Sequence, residues 1–510
     1  MDLSFIGWIS HYNCYIFFRI QFNLVIFLEV VGPIIDGIAI NRDQRYITLN
    51  PADTRERVSM VSVATVDDVR HAFDSAYEAF DKWSRLSPHE RARVLYRAAD
   101  LFEQELDSMA RLITREMGKT LAESRAEAER VPWILRFYAG LILRQSGRSI
   151  PSQVGNGLIL AQREPLGVVS VITPWNFPIA IPAWKIVPAI AAGNTVVFKP
   201  ASLTPTIAYK LVEILYKAGL PKGVVNMVIG PGSTVGREML TNRHVEAISF
   251  TGSHEVGLEV HKAVGGLDRF VRLQLELGGK NAVVVAEDAR IDEALDIIVR
   301  GAYSLAGQAC TATSRVIAHE SIYQRLVEAL RERVSRIRVG NGLDPNTDMG
   351  PLSSIDQKKK VLTYIEIGRG EGATLVHGGR ALENGIYQYG YYVEPTIFKD
   401  CSKDQRIFQE EIFGPVLCIT PYRDLDEAVD LVNSVKYGLV AGIISRDIGR
   451  IMRLSRELKV GLVRVNRQTV GVEFQAPFGG VKASGNDIYK EQGEEALDFY
   501  TRIKTVYLHW

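Results

Sequence analysis

The sequence predicts an α/β fold with two separate parallel-sheet lobes, and three observations lead there. The chain has 510 residues, more than a single core commonly holds. Between residues 168 and 276, short apolar runs (VVSVI, TVVFK, VVNMVI, AISF, RLQLEL) alternate with stretches of helical composition joined by Gly, Pro or Thr. That alternation is the signature of βαβ units, hence of a parallel sheet. It restarts at Asn281 with NAVVVA and runs through helices at 291–305 and 321–337 to about residue 465.

Composition limits the function classes. With 46% hydrophobic and 23% charged residues, the chain matches soluble globular proteins and is neither disordered nor a multi-span membrane protein. Sixty basic against 59 acidic residues leave a formal charge of +1, so no general attraction to nucleic acid is expected and ligands are recognised locally. Cys14, Cys310, Cys401 and Cys418 form no CxxC pair, and the histidines are scattered. Neither a disulfide framework nor a metal site is expected.

The elements follow in order. Residues 3–31 are apolar, but Arg19 and Glu29 interrupt them, and no uncharged run reaches the roughly 18 residues of a spanning helix. Asp2 stands where a signal peptide is basic, and no AxA-like cleavage site follows. A membrane anchor is disfavoured, leaving a segment packed on the surface or a translation start placed too far upstream. From Thr65 the text is amphipathic helix, with Val66, Val69, Phe73, Ala76 and Phe80 on one face and Thr65 and Asp68 spaced as a capping box. Helical text continues to about residue 144, and a β-like piece, GLILAQREP, precedes the first lobe. The chain ends in RIKTVYL, a strand without a sequence neighbour, which suggests pairing with another lobe or another subunit.

Open parallel sheets bind ligands beyond the carboxyl ends of their strands, and candidate chemistry collects there. Gly230, Gly232 and Gly236 follow VVNMVI, and Gly252 and Gly257 follow AISF. Each set joins a strand end to a helix start, where backbone N–H groups can face a pyrophosphate, although neither matches GxGxxG and a plain turn reads as well. Lys199 ends TVVFK, with Ser202 three residues on, a small hydroxyl where a carboxylate would repel a 2′-phosphate. This pair permits NADP; a lone lysine would be simply solvated. Cys310 lies among small polar residues in AGQACTATSR, Glu276 ends a strand ahead of two glycines, and Asn176 sits in the Pro-flanked loop TPWNFP. Each alone is ambiguous, a free cysteine being most often structural. Together they supply a thiol nucleophile, a carboxylate base and an amide donor.

TPWNFP, FKPAS, FTGS, LELGGK, GQAC, EEIFGP and PFGGVKASG occur in the order seen in the NAD(P)-dependent aldehyde dehydrogenases. The chain resembles that superfamily from about residue 35 to its end. Glu276 precedes Cys310 by 34 residues and Lys185 follows Asn176 by nine, as in the family. The resemblance implies the aldehyde dehydrogenase fold: a Rossmann-like NAD(P)-binding domain (35–147 and 168–276), an α/β catalytic domain (277–483), and a β oligomerisation arm (148–167 and 484–510) completing a neighbour's sheet in a homodimer or homotetramer. Residues 1–34 fall outside it as an apolar extension.

The implied reaction is oxidation of an aldehyde to a carboxylic acid in the cytoplasm. Cys310 forms a thiohemiacetal and then a thioester, Asn176 and the Cys310 backbone N–H hold the oxyanion, Glu276 activates the hydrolytic water, and Lys185 supports the proton relay of Glu276. Thr173, Pro174, Trp175, Lys199, Ser202, Gly232, Gly236, Phe250, Gly252, Ser253, Leu277, Glu411 and Phe413 are the implied cofactor contacts, with NADP favoured over NAD. Acylating members that pass the thioester to coenzyme A typically lack the base, so Glu276 argues for hydrolysis. Succinate-semialdehyde dehydrogenases clamp their substrate with arginines where this chain has Trp184 and Ser304. GQACTATSRV and VNRQTVGVEFQAPFGG look most like the α-ketoglutaric semialdehyde (2,5-dioxopentanoate) dehydrogenase branch. The segment SGNDIYKEQG is longer than the family's, which leaves Glu491 outside the relay. The competing classes are a catalytically silent relative, which intact Cys310, Glu276 and Asn176 oppose, and a cysteine hydrolase, which needs a histidine the sequence does not supply beside Cys310.

Overall fold

A computed structural model describes residues 15–18, 26–145 and 147–510. The expectation for the apolar start therefore falls largely outside the described residues, at 1–14 and 19–25. Tyr15–Phe18 and Ile26–Val31 are strands of a four-stranded sheet with Arg45–Asn50 and Asp53–Ser62. In it Glu29 pairs in parallel with Ser59. No helix of the described residues is long and apolar enough to cross a membrane.

The first seven-stranded sheet runs in the order Arg272–Glu276, Val245–Thr251, Val168–Ile172, Thr195–Lys199, Val225–Met227, Ile34–Ile35, Ile38–Ala39. Five of these strands are parallel. Among the parallel strands the chain enters in the middle, at Val168–Ile172, proceeds to one side, and returns to the other at Val245–Thr251. Loops leaving those two neighbours diverge, which opens a crevice at the carboxyl edge. The register puts Lys199 beside Ile172, Phe250 across from Ile172, and Thr251 beside Glu276. Groups far apart in sequence thus share one edge, with strands about 4.8 Å apart.

Helices cover both faces. Val66–Ser84 starts with the expected capping box, Thr65 and Asp68 each bonding the other's backbone, and buries Val69, Phe73 and Ala76 against the sheet. Phe73 is fully buried, so truncation to alanine costs about 3–5 kcal/mol. On the other face, Ala180–Ala191 is buried along its whole length. It is pinned by Trp83 Nε1 donating to Ile190 O (3.0 Å) and Arg91 Nε donating to Ala191 O (3.0 Å), which fixes the helix that carries Lys185.

The second seven-stranded sheet has the order Thr374–His377, Thr396–Lys399, Val416–Tyr422, Thr313–His319, Asn281–Val285, Val440–Ile444, Leu462–Val465, parallel except for its first strand. It has its own core. The terminal strand Thr501–His509 finds its partner within the chain: it pairs antiparallel with Gly157–Pro165, which pairs with Arg148–Pro151. Ala496–Tyr500, just before it, packs into the first lobe's core.

Candidate active site

Cys310 follows a tight turn, Ser304–Gly307, in which Leu305 and Ala306 take positive φ of 53° and 52°. Non-glycine residues in the left-handed region are strained and persist where surroundings fix them. The fixing groups are visible. Gln308 Nε2 donates to Leu305 O (3.0 Å), its Oε1 accepts from Ser353 N (2.9 Å), and Leu305 N donates to Glu123 Oε1 (2.8 Å). From the far side, Asn281 Nδ2 holds the carbonyls of Cys310 (2.7 Å) and Ala312 (2.8 Å).

The half-buried thiol opens on a cavity of about 170 Å³. Pro174, Trp175, Asn176, Gly252, Ser253, Leu277, Glu411 and Phe413 line it with Cys310. Asn176 Nδ2 spends one N–H on Gln308 O (3.1 Å), leaving the other available. The loop bearing Asn176 is braced by Lys119, whose Nζ donates to Asn176 O (2.7 Å) and pairs with Glu127 (2.5 Å). Glu127 in turn accepts from the amides of Ile179 and Ala180, each at 3.1 Å. Sequence reasoning missed Lys119, Glu127 and Gln308, since only their spatial partners give them meaning. Burial, with the charges of Glu411, Glu276 and Glu491, pushes the Cys310 thiol up to about 12.

Neither Glu276 nor Lys185 is among the residues that line this cavity. Glu276 Oε2 accepts from Gly480 N at 3.2 Å, and burial followed by the like charge of Glu491 holds its carboxyl well above the usual range. Lys185 Nζ donates to Ser249 Oγ (2.7 Å) and forms a buried ion pair with Glu491. Trp184 Nε1 holds the other oxygen of Glu491 at 2.9 Å. The structure thus brings Glu491, left outside the relay by the sequence reading, against Lys185 and Trp184. An antiparallel bridge between Phe478 and Glu491 returns the chain to the site, with Ile488 exposed in the loop between them.

On the cofactor side, Glu411 Oε1 accepts from Gly279 N (2.9 Å), and burial raises its carboxyl. Phe413 takes a φ of 59° and meets Trp175 edge-on, with ring centroids 5.5 Å apart. Gln357 and Lys360, unanticipated, reach this cavity from the helix Ile355–Gly370, and Gln357 Nε2 donates to the carbonyls of Ile412 (3.1 Å) and Phe413 (2.8 Å). Ser253 caps the helix His254–Gly265, whose N-terminus faces the crevice. Phe250 is buried in the core, its ring against Gly252, where a Cβ would clash at 2.5 Å; its effect is on the turn. Lys199 is buried without an anionic partner among the described residues, and desolvation lowers its pKa to about 8. Gly232 and Gly236 open the turn preceding Arg237–Thr241, further along the same edge.

A dinucleotide fits this edge. Thr173 Oγ1, Thr251 Oγ1 and Asn176 Oδ1 are buried without hydrogen-bond partners, a Cβ at Gly232 or Gly236 would point into open space, and Lys199 offers a cation. Among the described residues no cluster of three metal-ligating side chains occurs.

The family model for the aldehyde dehydrogenase family matches residues 39–506. The chain belongs to the aldehyde dehydrogenase family. This aldehyde dehydrogenase is 48% identical to 2,5-dioxopentanoate dehydrogenase of Saccharolobus solfataricus, over 92% of this chain and 97% of that one. It is 47% identical to α-ketoglutaric semialdehyde dehydrogenase of Bacillus subtilis, over 90% and 93%. The fold matches the crystal structure of betaine aldehyde dehydrogenase from Staphylococcus aureus in complex with NAD+, with a TM-score of 0.91, 35% identity, and 94% and 95% of the two chains covered. The enzyme oxidises an aldehyde to the free acid with NAD(P), through a cysteine-bound thioester that water hydrolyses.

Proposed function

We propose that this aldehyde dehydrogenase oxidises a semialdehyde that carries a carboxylate, of the 2,5-dioxopentanoate type, with Cys310 as nucleophile. The observation that carries the reading is the meeting of Cys310 and Asn176 in one cavity with Glu411 and Phe413; the named activities of the relatives support the substrate. Cys310 attacks the aldehyde carbon while the free N–H of Asn176 and the Cys310 backbone N–H take the developing oxyanion. When bound, the cationic nicotinamide supplies the hydride acceptor and a charge that draws the buried thiol's pKa down. Glu276 then removes a proton from the water that attacks the thioester carbonyl. The Glu491–Lys185 pair beside it offers that proton a way out. Glu411 and Phe413 hold the nicotinamide end, and Lys199 and Ser202 the adenosine ribose, where the absence of a carboxylate favours NADP over NAD. The apolar side chains that the terminal strand leaves exposed, Ile503, Tyr507 and Leu508, support assembly through the arm into a homodimer or homotetramer.

Initial rates of cofactor reduction, with NAD and NADP against 2,5-dioxopentanoate, succinate semialdehyde, betaine aldehyde and pentanal, test the reading. The carboxylate-bearing aldehydes are expected to give the highest kcat/KM. A preference for betaine aldehyde or pentanal would overturn it.

A further inference from the structure

The side chain of Asn176 does little to fix itself. Nδ2 makes one bond, to Gln308 O at 3.1 Å, and Oδ1 is buried without a hydrogen-bond partner. The direction of the remaining N–H therefore depends on where the backbone of its loop is held. That hold comes from one buried ion pair. Lys119 stands just before the helix Leu121–Ala128 and Glu127 in its last turn. Lys119 Nζ donates to Asn176 O at 2.7 Å and lies over the ring of Phe177, 4.5 Å from its centroid. Its partner Glu127 accepts from the amides of Ile179 and Ala180, each at 3.1 Å. Asn176, Phe177, Ile179 and Ala180 are thus all pinned by the same two side chains.

The same short segment also reaches the thiol's side of the site. Glu123, one turn before Glu127, accepts from Thr120 N (2.9 Å) and, with its other oxygen, from Leu305 N (2.8 Å) in the turn that delivers Cys310. Leu121 N donates to Gly342 O at 2.8 Å. Gly118, with a φ of 95°, fits between Pro51 and Pro351, where a Cβ would meet each Cγ at 2.8 Å. Gln308, two residues before Cys310, is tied to that proline loop, its Nε2 donating to Pro351 O (3.4 Å) and its Oε1 accepting from Ser353 N (2.9 Å). The contacts close a ring from Lys119 to Asn176, Gln308, Pro351 and back to Gly118. Asn176 and Cys310 belong to different lobes, so this ring, and not either sheet, sets the gap between amide and thiol. A buried ion pair adds little net stability over an apolar pair of similar size, whereas a displacement of about 1 Å at a reacting centre costs on the order of 100-fold in rate.

We propose that Lys119 and Glu127 are positioning residues of the oxyanion site, acting through Asn176 by fixing its amide relative to the Cys310 thiol. This rests on the reading above that Asn176 takes the oxyanion. The test is single-turnover cofactor reduction, with enzyme in excess over whichever of the four aldehydes above gives the highest kcat/KM, so that only thiol attack and hydride transfer are read. Lys119→Met/Glu127→Gln removes both charges together, leaves no unpaired buried ion, and keeps an acceptor for the Ile179 and Ala180 amides. Lys119→Met alone, with Glu127 able to take up a proton, is a second route to the same loss. Each is expected to slow the single turnover by about 10- to 100-fold. In an Asn176→Ala background the same changes should cost less than about threefold, because the group they position is gone. Alkylation of Cys310 by iodoacetamide, in which the sulfur displaces iodide and no oxyanion develops, should keep the unmodified rate. An Asn176→Ala enzyme as fast as the unmodified one overturns the oxyanion reading and the positioning role with it. With Asn176→Ala slow, a loss that multiplies in full in the combined variants, or an alkylation rate that falls as far as the turnover, overturns the positioning role alone.

Discussion

Desolvation among other carboxyl groups favours the protonated form of both the Cys310 thiol and the Glu276 carboxyl. For Glu276 the sign follows directly: its proton affinity is raised, so the base form that activates water is present only above the raised pKa. The hydrolytic rate should climb with pH through an apparent pKa above the ordinary carboxylate range. Glu276→Gln should lower steady-state turnover by about 10²–10⁴-fold and remove that rising limb, and a pH–rate profile of both proteins checks it. Cys310, Glu276 and Asn176 could be picked out in the sequence because each stands in a short run whose local setting is unusual: a thiol among small residues, a carboxylate ahead of two glycines, an amide in a Pro-flanked loop; Lys185 came only from the family's spacing. Glu491 could not. Its place depends on a bridge to Phe478 and on Trp184 and Lys185, 307 and 306 residues away.

At the scale of elements, the carboxyl edge of the first sheet organises the cofactor side, since parallel register brings Lys199, Ile172 and Phe250 into one row and Thr251 and Glu276 into the next. The strands and turns of that edge were legible because apolar runs ending in Gly or Pro are local signals. Gln357 and Lys360 were not, because nothing near them in sequence marks the helix as a wall of the cavity. Lys199 and Ser202 give this edge a testable charge preference. Ser202→Glu should weaken NADP binding at least about tenfold and NAD much less, measured by titration of each cofactor. Desolvation lowers the pKa of Lys199 to about 8, so the lysine loses its charge as pH rises through that value. NADP affinity in the unmodified enzyme should therefore fall above about pH 8, more steeply than NAD affinity.

On the scale of the whole molecule, chemistry depends on two lobes meeting. Pro174–Asn176 and Gly252–Ser253 come from the first sheet, and Cys310, Glu411 and Phe413 from the second lobe, yet they line a single cavity. The two-lobe plan could be read from the repeated βαβ text. The partner of the final strand, Gly157–Pro165, lies more than 300 residues away, so the residues themselves could not mark it; only the family resemblance put the two segments in one arm. The chemistry turns on Cys310 carrying the acyl group. Its most direct test is mass spectrometry of Glu276→Gln mixed with cofactor and 2,5-dioxopentanoate. An acyl adduct confined to the peptide containing Cys310, and missing when Cys310 is alanine, is the predicted result. Continued oxidation by Cys310→Ala, or an adduct on another residue, would contradict it.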